Sequence, residues 1–178
     1  VFDLRAGTPA NAARGMPLCP GMPPPRKKRA RPTIGWREWV ALPELGVDRI
    51  KAKIDTGARS SALHATDLEY FDRDGQDWVR FVVRPNQRSA GGRRVAEAPL
   101  VDRRPVVSSS GTKELRPFVQ TTILIGGRAL PIVLNLTDRR DMGFRMLLGR
   151  ADVRRRFLVD PGRSYLSSRT PDDQRGTA

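Results

Sequence analysis

The chain has 178 residues, 38% hydrophobic and 29% charged, enough for one domain with a real core and too few for two large ones. No apolar run approaches the roughly 20 residues of a membrane-spanning helix, and residues 1–30 hold no apolar segment of a signal peptide, so no membrane partner and a cytoplasmic location are expected. Net charge is +14, from 33 Lys and Arg against 19 Asp and Glu; almost all the cations are scattered arginines, which reads as a GC-rich coding bias rather than the clustered footprint of a nucleic-acid binder.

Residues 1–32 read as a disordered, basic, Pro-rich leader, with "PPPRKKRARP" its one charge run. The folded domain is expected over 33–167, and a flexible polar tail over 168–178. Within the domain, "WREWVAL" (36–42) predicts a strand, followed by a turn at Pro43–Gly46. "RIKAKID" (49–55) is the cleanest two-residue alternation in the chain, with Ile50, Ala52 and Ile54 on one face. "ALHATDLEYF" (62–71) fits a strand or an irregular segment, "DRDG" (72–75) a turn, and "DWVRFVV" (77–83) a strand burying Val79, Phe81 and Val83.

Residues 84–97 are polar and Gly-rich and read as a loop or a long hairpin tip. "PLVDRRPVV" (99–107) is extended, Ser108–Ser110 fall in a loop, and the runs 116–125 and 129–136 flank Gly126-Gly127 as a hairpin. "FRMLLG" (144–149) is a short apolar run, and "ADVRRRFL" (151–158) predicts one short helix. Many short strands and one late helix give an all-β fold, a barrel or a sandwich.

The one cysteine, Cys19, excludes an intrachain disulfide, and the one histidine, His64, stands without CxxC or HExxH company. Neither a metal nor a cofactor is expected on these ligands, and no GxxxxGK[ST] phosphate loop or GxSxG nucleophile motif occurs. Asn135-Leu136-Thr137 matches a glycosylation acceptor by chance.

The chemistry concentrates in "IDTGARSSALHA". Asp55 ends a strand, which fixes its carboxylate as acid/base work requires. Gly57 lets backbone approach closely, and the Thr56 hydroxyl is expected to lock the turn. One aspartate does little alone. Two within hydrogen-bonding distance share a proton, and together they activate a water and protonate a leaving group. With one such motif in the chain, the second comes most simply from a two-fold homodimer.

"DTGA" after an alternating strand, with "MLLGR" some 90 residues later before a short helix, resembles the retropepsin pattern. More closely, "IGWREWVALPELGVDRIKAKIDTGARSSALHA", "SSSGTKELRP" and "DMGFRMLLGRADVRRRFLVDP" are similar to the bacterial retropepsin-like family often labelled "ATP-dependent zinc protease" and linked with a RimK-type ATP-grasp ligase. The resemblance spans 34–166 and implies an acid-protease-like closed β-barrel with a short C-terminal helix, and aspartic endopeptidase activity on a peptide or protein substrate. It implies Asp55 as catalytic, Thr56, Gly57 and Ala58 as its support, and Leu147, Leu148, Gly149 and Arg150 as the element packed beside it. It also makes the loop around 86–94 a candidate flap.

Viral members follow DTGA with an acidic residue that pairs with the arginine of their second motif. Arg59 stands there instead, so Arg150 needs another partner, with Asp102, Asp138, Asp141 and Asp152 available. Arg59 and His64 are candidates for tuning the site, although His64 also reads as a packed histidine bonded to backbone. Two alternatives stand beside the peptidase: a non-catalytic module that binds a peptide or an acidic tail made by the ligase, and a metal-dependent protease as the family label says.

Overall fold

The structure is a computed structural model that describes residues 30–87, 92–107 and 111–168. The leader up to residue 29, with Cys19, the tail from 169, the centre of the Gly-rich loop (88–91) and Ser108–Ser110 lie outside the described residues. All the strands belong to the unit Arg31–Ala178.

The strands in order are β1 (Thr33–Gly35), β2 (Arg37–Leu42), β3 (Val47–Asp55), β4 (Ser61–Arg73), β5 (Gln76–Val83), β6 (Arg94–Val107), β7 (Lys113–Ile125), β8 (Arg128–Thr137), β9 (Met146–Gly149) and β10 (Leu158–Asp160). A 3₁₀ turn at Pro43–Leu45 joins β2 to β3, and the helix α1 covers Arg150–Val153. Among the described residues, eight strands form one sheet in the order β2-β3-β9-β4-β5-β6-β7-β8, and further β2–β7 and β4–β8 pairings bring it round on itself as a ring. The expected all-β class with one short helix is what the chain adopts.

The alternation of β3 does what its pattern predicts. Ile50, Ala52 and Ile54 are buried while Arg49 and Lys53 face out, because successive side chains on a strand point to opposite faces. Val79, Phe81 and Val83 are likewise in the core, and Val82 joins them, so both faces are covered at that end of β5. The β7–β8 hairpin turns on Gly126 and Gly127, at φ 57° and 70°. A two-residue hairpin turn with both centres left-handed suits glycine, which carries no Cβ to clash.

Of the two readings of residues 62–71 the strand holds, inside a longer β4. Two local expectations need correction. Residues 94–97 belong to β6 and not to the loop, because Ala96 and Ala98 bury against β5. The helix is half the expected length. Arg155 has φ 67°, which breaks the helix at a run of three like charges, and Phe157 then turns into the core. Leu158–Asp160 instead pair in parallel with β1.

A buried carboxylate ties these two ends of the chain together. Glu38 Oε1 accepts from Gly35 N at 2.6 Å and from Leu166 N at 2.8 Å, and Oε2 accepts from the Ser168 hydroxyl at 3.0 Å. Trp39 stacks on Tyr165 with ring centroids 5.9 Å apart. The segment after β10 is thereby clasped to β2.

Candidate active site

Asp55 is the last residue of β3 and lies opposite Gly149, the last of β9, in a parallel register that also pairs Lys53 with Leu147 and Ile54 with Leu148. The chain then leaves the sheet, and Asp55 closes the turn with its own side chain. Its Oδ1 accepts from the backbone N–H of Gly57 and of Ala58, both at 3.0 Å. The lock is therefore the carboxylate and not the Thr56 hydroxyl, since an Asp reaches its own backbone two and three residues on. A Cβ on Gly57 would stand 3.3 Å from Asp55 Oδ1, so any larger residue would crowd the carboxylate.

The other oxygen of Asp55 is 3.6 Å from Lys53 Nζ. Partial burial by itself would raise the Asp55 pKa. The Ala58 N–H, the Lys53 charge and the Gly57 N–H together outweigh burial and hold the carboxyl below its ordinary value. In the single chain Asp55 is thus an anchored, ionised carboxylate.

The second motif divides its two leucines between surfaces. Leu148 is buried in the core, while Leu147 lines the groove beside Asp55. Gly149 is sterically required. A Cβ there would overlap the Ser60 carbonyl carbon and lie 2.9 Å from Ser61 N. Its N–H donates to the Ser61 hydroxyl oxygen at 2.9 Å, and that hydroxyl donates to Asp152 Oδ2 at 2.6 Å. Burial pushes the Asp152 carboxyl above its ordinary value, against the opposing pull of the Ser61 hydrogen bond and Arg156.

Arg150 does not pair with any of the four aspartates available to it in the sequence. Its guanidinium donates to the carbonyls of Thr56 at 3.0 Å and Gly57 at 3.3 Å, and its backbone N–H donates to the Ala58 carbonyl at 2.8 Å. The turn after Asp55 supplies the partner through its backbone, so no acidic side chain at position 59 is needed. Arg59 itself is exposed and lines the groove.

That groove has a volume of about 1100 Å³. Asp55, Ala58 and Leu147 form part of its floor, and the β6–β7 hairpin, with Arg104, Val106 and Arg116, forms part of its wall. Of the expected flap, residues 86, 87 and 92–94 are described and none of these lines the groove. The β6–β7 hairpin borders it, because β6 and β7 extend past the ring on that side. Among the described residues six cations line the groove (Lys53, Arg59, Arg104, Arg116, Arg139 and Arg156) against two carboxylates, Asp55 and Asp152. Arg139 is half-buried. Burial and then Arg116 lower its pKa, and Asp55 opposes them.

Four of these arginines, Arg104, Arg116, Arg139 and Arg156, are groove residues that sequence reading did not single out. They are scattered along the chain from 104 to 156, and only the ring of strands gathers them. Asp152 was visible only as one candidate partner among several.

His64 is buried, 3% exposed, and does not line the groove. Its Nδ1 accepts the backbone N–H of Arg139 at 2.9 Å, which is the packed, backbone-bonded histidine among the two readings. Among the described residues no three of His, Cys, Asp and Glu come together as a metal cage. His64 already uses one ring nitrogen on a backbone donor, beside Arg145, Arg140 and Arg84. A cation-lined histidine of this kind does not fit the zinc that the family label implies.

A family model described as RimB-like, the retropepsin-like aspartic endopeptidase RimB, matches residues 33–170. Among curated proteins, the chain is 45% identical over 132 residues to a probable alpha-L-glutamate ligase of Shewanella pealeana, covering 74% of this chain and 29% of that protein. It is 42% identical over 143 residues to a protein of the same description from Parasynechococcus marenigrum, covering 79% and 30%. The chain thus spans about three tenths of the length of these relatives. A crystal structure of a Legionella pneumophila protein of unknown function aligns with a TM-score of 0.65 and 27% identity, over 78% of this chain and 99% of that one. No helix among the described residues is long and apolar enough to cross a membrane.

Proposed function

The chain belongs to the RimB-like family of retropepsin-like aspartic endopeptidases, and from that premise we propose that it hydrolyses peptide bonds as a homodimer, with one Asp55 from each copy. The observation that carries this reading is the Asp55 carboxylate itself. It is fixed at a strand end by two backbone N–H groups and opens onto a groove large enough for an extended peptide. Thr56 and Gly57 beside it are exposed, which leaves the turn free to meet a second copy.

Bringing two such carboxylates together changes their chemistry. Each alone is ionised, but two in contact cannot both keep their charge, so they hold one proton between them. The ionised member takes a proton from a water lying between them, and the water oxygen attacks the scissile carbonyl carbon. The protonated member gives its proton to the carbonyl oxygen. The newly protonated member then gives its proton to the amide nitrogen while the other takes one back from a hydroxyl of the tetrahedral intermediate; the C–N bond breaks and the pair again holds one proton.

The lining of the groove supports an acidic substrate. Six cations face two carboxylates there among the described residues, and arginine forks pair well with carboxylates. Relatives described as glutamate ligases make a glutamyl chain the natural candidate, and a RimK-type ligase the natural functional companion. The same groove supports a second reading, a module that holds an acidic tail without cutting it.

The experiment is cleavage of a glutamate-rich peptide by the wild type and by Asp55→Asn, with sedimentation equilibrium on both. The proposal expects cleavage lost in a folded dimeric variant. Full activity in Asp55→Asn, or an active strict monomer, refutes it. Salt-sensitive binding without turnover, equal in both proteins, establishes the binding module.

A further inference from the structure

The segment 138–145 links β8 to β9 and lends Arg139 and Met142 to the groove. It is held at both ends by one residue. The His64 backbone N–H donates to the Arg145 carbonyl at 2.7 Å, and the His64 Nδ1 accepts the Arg139 N–H at 2.9 Å. Between these points the loop is closed by its own bonds, from Met142 N–H to the Arg139 carbonyl at 3.1 Å and from Arg139 Nε to the Phe144 carbonyl at 3.2 Å. Phe144 packs edge-on to Trp36, with centroids 5.8 Å apart.

We infer that His64 is a positioning residue, which as the neutral imidazole clips the 138–145 loop shut and so sets Arg139 in the groove beside Asp55. Its consequence for catalysis rests on the peptidase reading; the clip itself does not.

The protonation state follows from the hydrogen bond. Nδ1 accepts, so the ring proton sits on Nε2, and a second proton on Nδ1 would set N–H against N–H. Every group facing the ring bears on that step. Arg145 and Arg140 on the loop and Arg84 after β5 oppose a positive imidazole, as burial does, while Asp138, at 3.4 Å, favours it. The balance holds the His64 pKa below its ordinary value of 6.5. The clip is therefore complete above that pH, and it releases as pH falls through the depressed folded value.

The test compares wild type, His64→Asn and His64→Ala. Asn offers an oxygen near the Nδ1 position and does not titrate, whereas Ala offers nothing. Two readouts are taken from pH 4.5 to 7.5: hydrogen exchange of the Arg139 amide, corrected for its intrinsic rate, and KM for a glutamate-rich peptide. In the wild type, protection should fall and KM rise on the acid side. In His64→Asn, Arg139 protection should be flat with pH, and KM should keep only the acid rise that the peptide's own glutamates and the Asp55 pair impose. In His64→Ala, protection should be flat with pH, about fivefold to tenfold below the wild type at pH 7.5, the loss of one modest hydrogen bond, and converging with it on the acid side.

An acid fall in Arg139 protection that survives unchanged in His64→Asn overturns the inference, as does full Arg139 protection in His64→Ala at pH 7.5. If none of the three proteins cleaves peptide while protection still follows His64, the clip stands and the peptidase reading falls. Should His64→Ala fail to fold, the comparison of wild type with His64→Asn decides alone.

Discussion

The guanidinium of Arg150 reaches across to the Thr56 carbonyl at 3.0 Å, joining the first turn of the helix to the Asp55 turn 94 residues earlier. The Gly57 carbonyl takes a second, longer bond from the same nitrogen. A cation bonded to backbone is insensitive to which side chain follows the motif, and this is why Arg59 is accommodated. Arg150→Lys keeps the charge but loses the reach and fixed donor direction of the guanidinium nitrogen. It should cost about 1 kcal/mol of stability, since the contact is exposed, and lower kcat more than it raises KM. Unchanged kcat in Arg150→Ala would separate the pair from catalysis.

Gly149 tests the packing of the two motifs against each other. An added methyl would overlap the Ser60–Ser61 backbone, which cannot move without dragging β4. Gly149→Ala should destabilise by about 3 kcal/mol, the upper range of overpacking, read as a lower urea midpoint. Gly57→Ala meets only one oxygen of the Asp55 carboxylate, at 3.3 Å and with no backbone beside it, and should leave stability nearly intact while reducing cleavage.

The Asp152 carboxyl titrates above its unfolded value of about 3.8, so its ionisation weakens the fold. Wild-type stability should therefore fall as pH rises through the folded value, and Asp152→Asn, which can still accept from Ser61, should not follow it. Urea unfolding between pH 4 and 7 should show the variant at least as stable at pH 7, with its advantage fading towards pH 4. An advantage that grows on acidification would contradict the raised value.

The basic groove makes a salt-dependent prediction. Arg116 bonds Asn135 Oδ1 at 3.3 Å and Glu114 at 2.8 Å, and is held facing the groove. Arg116→Ala should raise KM for an acidic peptide about tenfold, the scale of one charge-assisted hydrogen bond, with little change for a neutral peptide. In about 1 M salt, where the screening length falls to about 3 Å, the difference between the two peptides should shrink.

Glu38 holds Leu166 and Ser168, after β10, by part-buried hydrogen bonds, and Gly35 by a buried one. Glu38→Ala orphans those donors and should cost about 3 kcal/mol. Limited proteolysis should then cut after Asp160 in the variant and spare the wild type.

Much of this protein was legible from its chain alone. The alternation at 49–55 carried β3 and the place of Asp55 at its end, because burial on one face of a strand leaves a period of two. The Gly126-Gly127 pair carried the hairpin, because its left-handed turn suits residues without a Cβ. The paired motifs around Asp55 and Leu147–Arg150 carried the family. What needed the tertiary structure was everything that depends on distance across the sheet. The groove cations lie far apart in sequence and meet only when the ring closes, so their scatter disguised a basic site. Arg150 found carbonyls rather than an aspartate because backbone groups have no letter in the sequence. The helix at 151–158 was cut to four residues by the pull of Phe157 to the core and of Leu158 to β1. His64, ambiguous as a letter, acquired a role only once the loop it holds was closed around it.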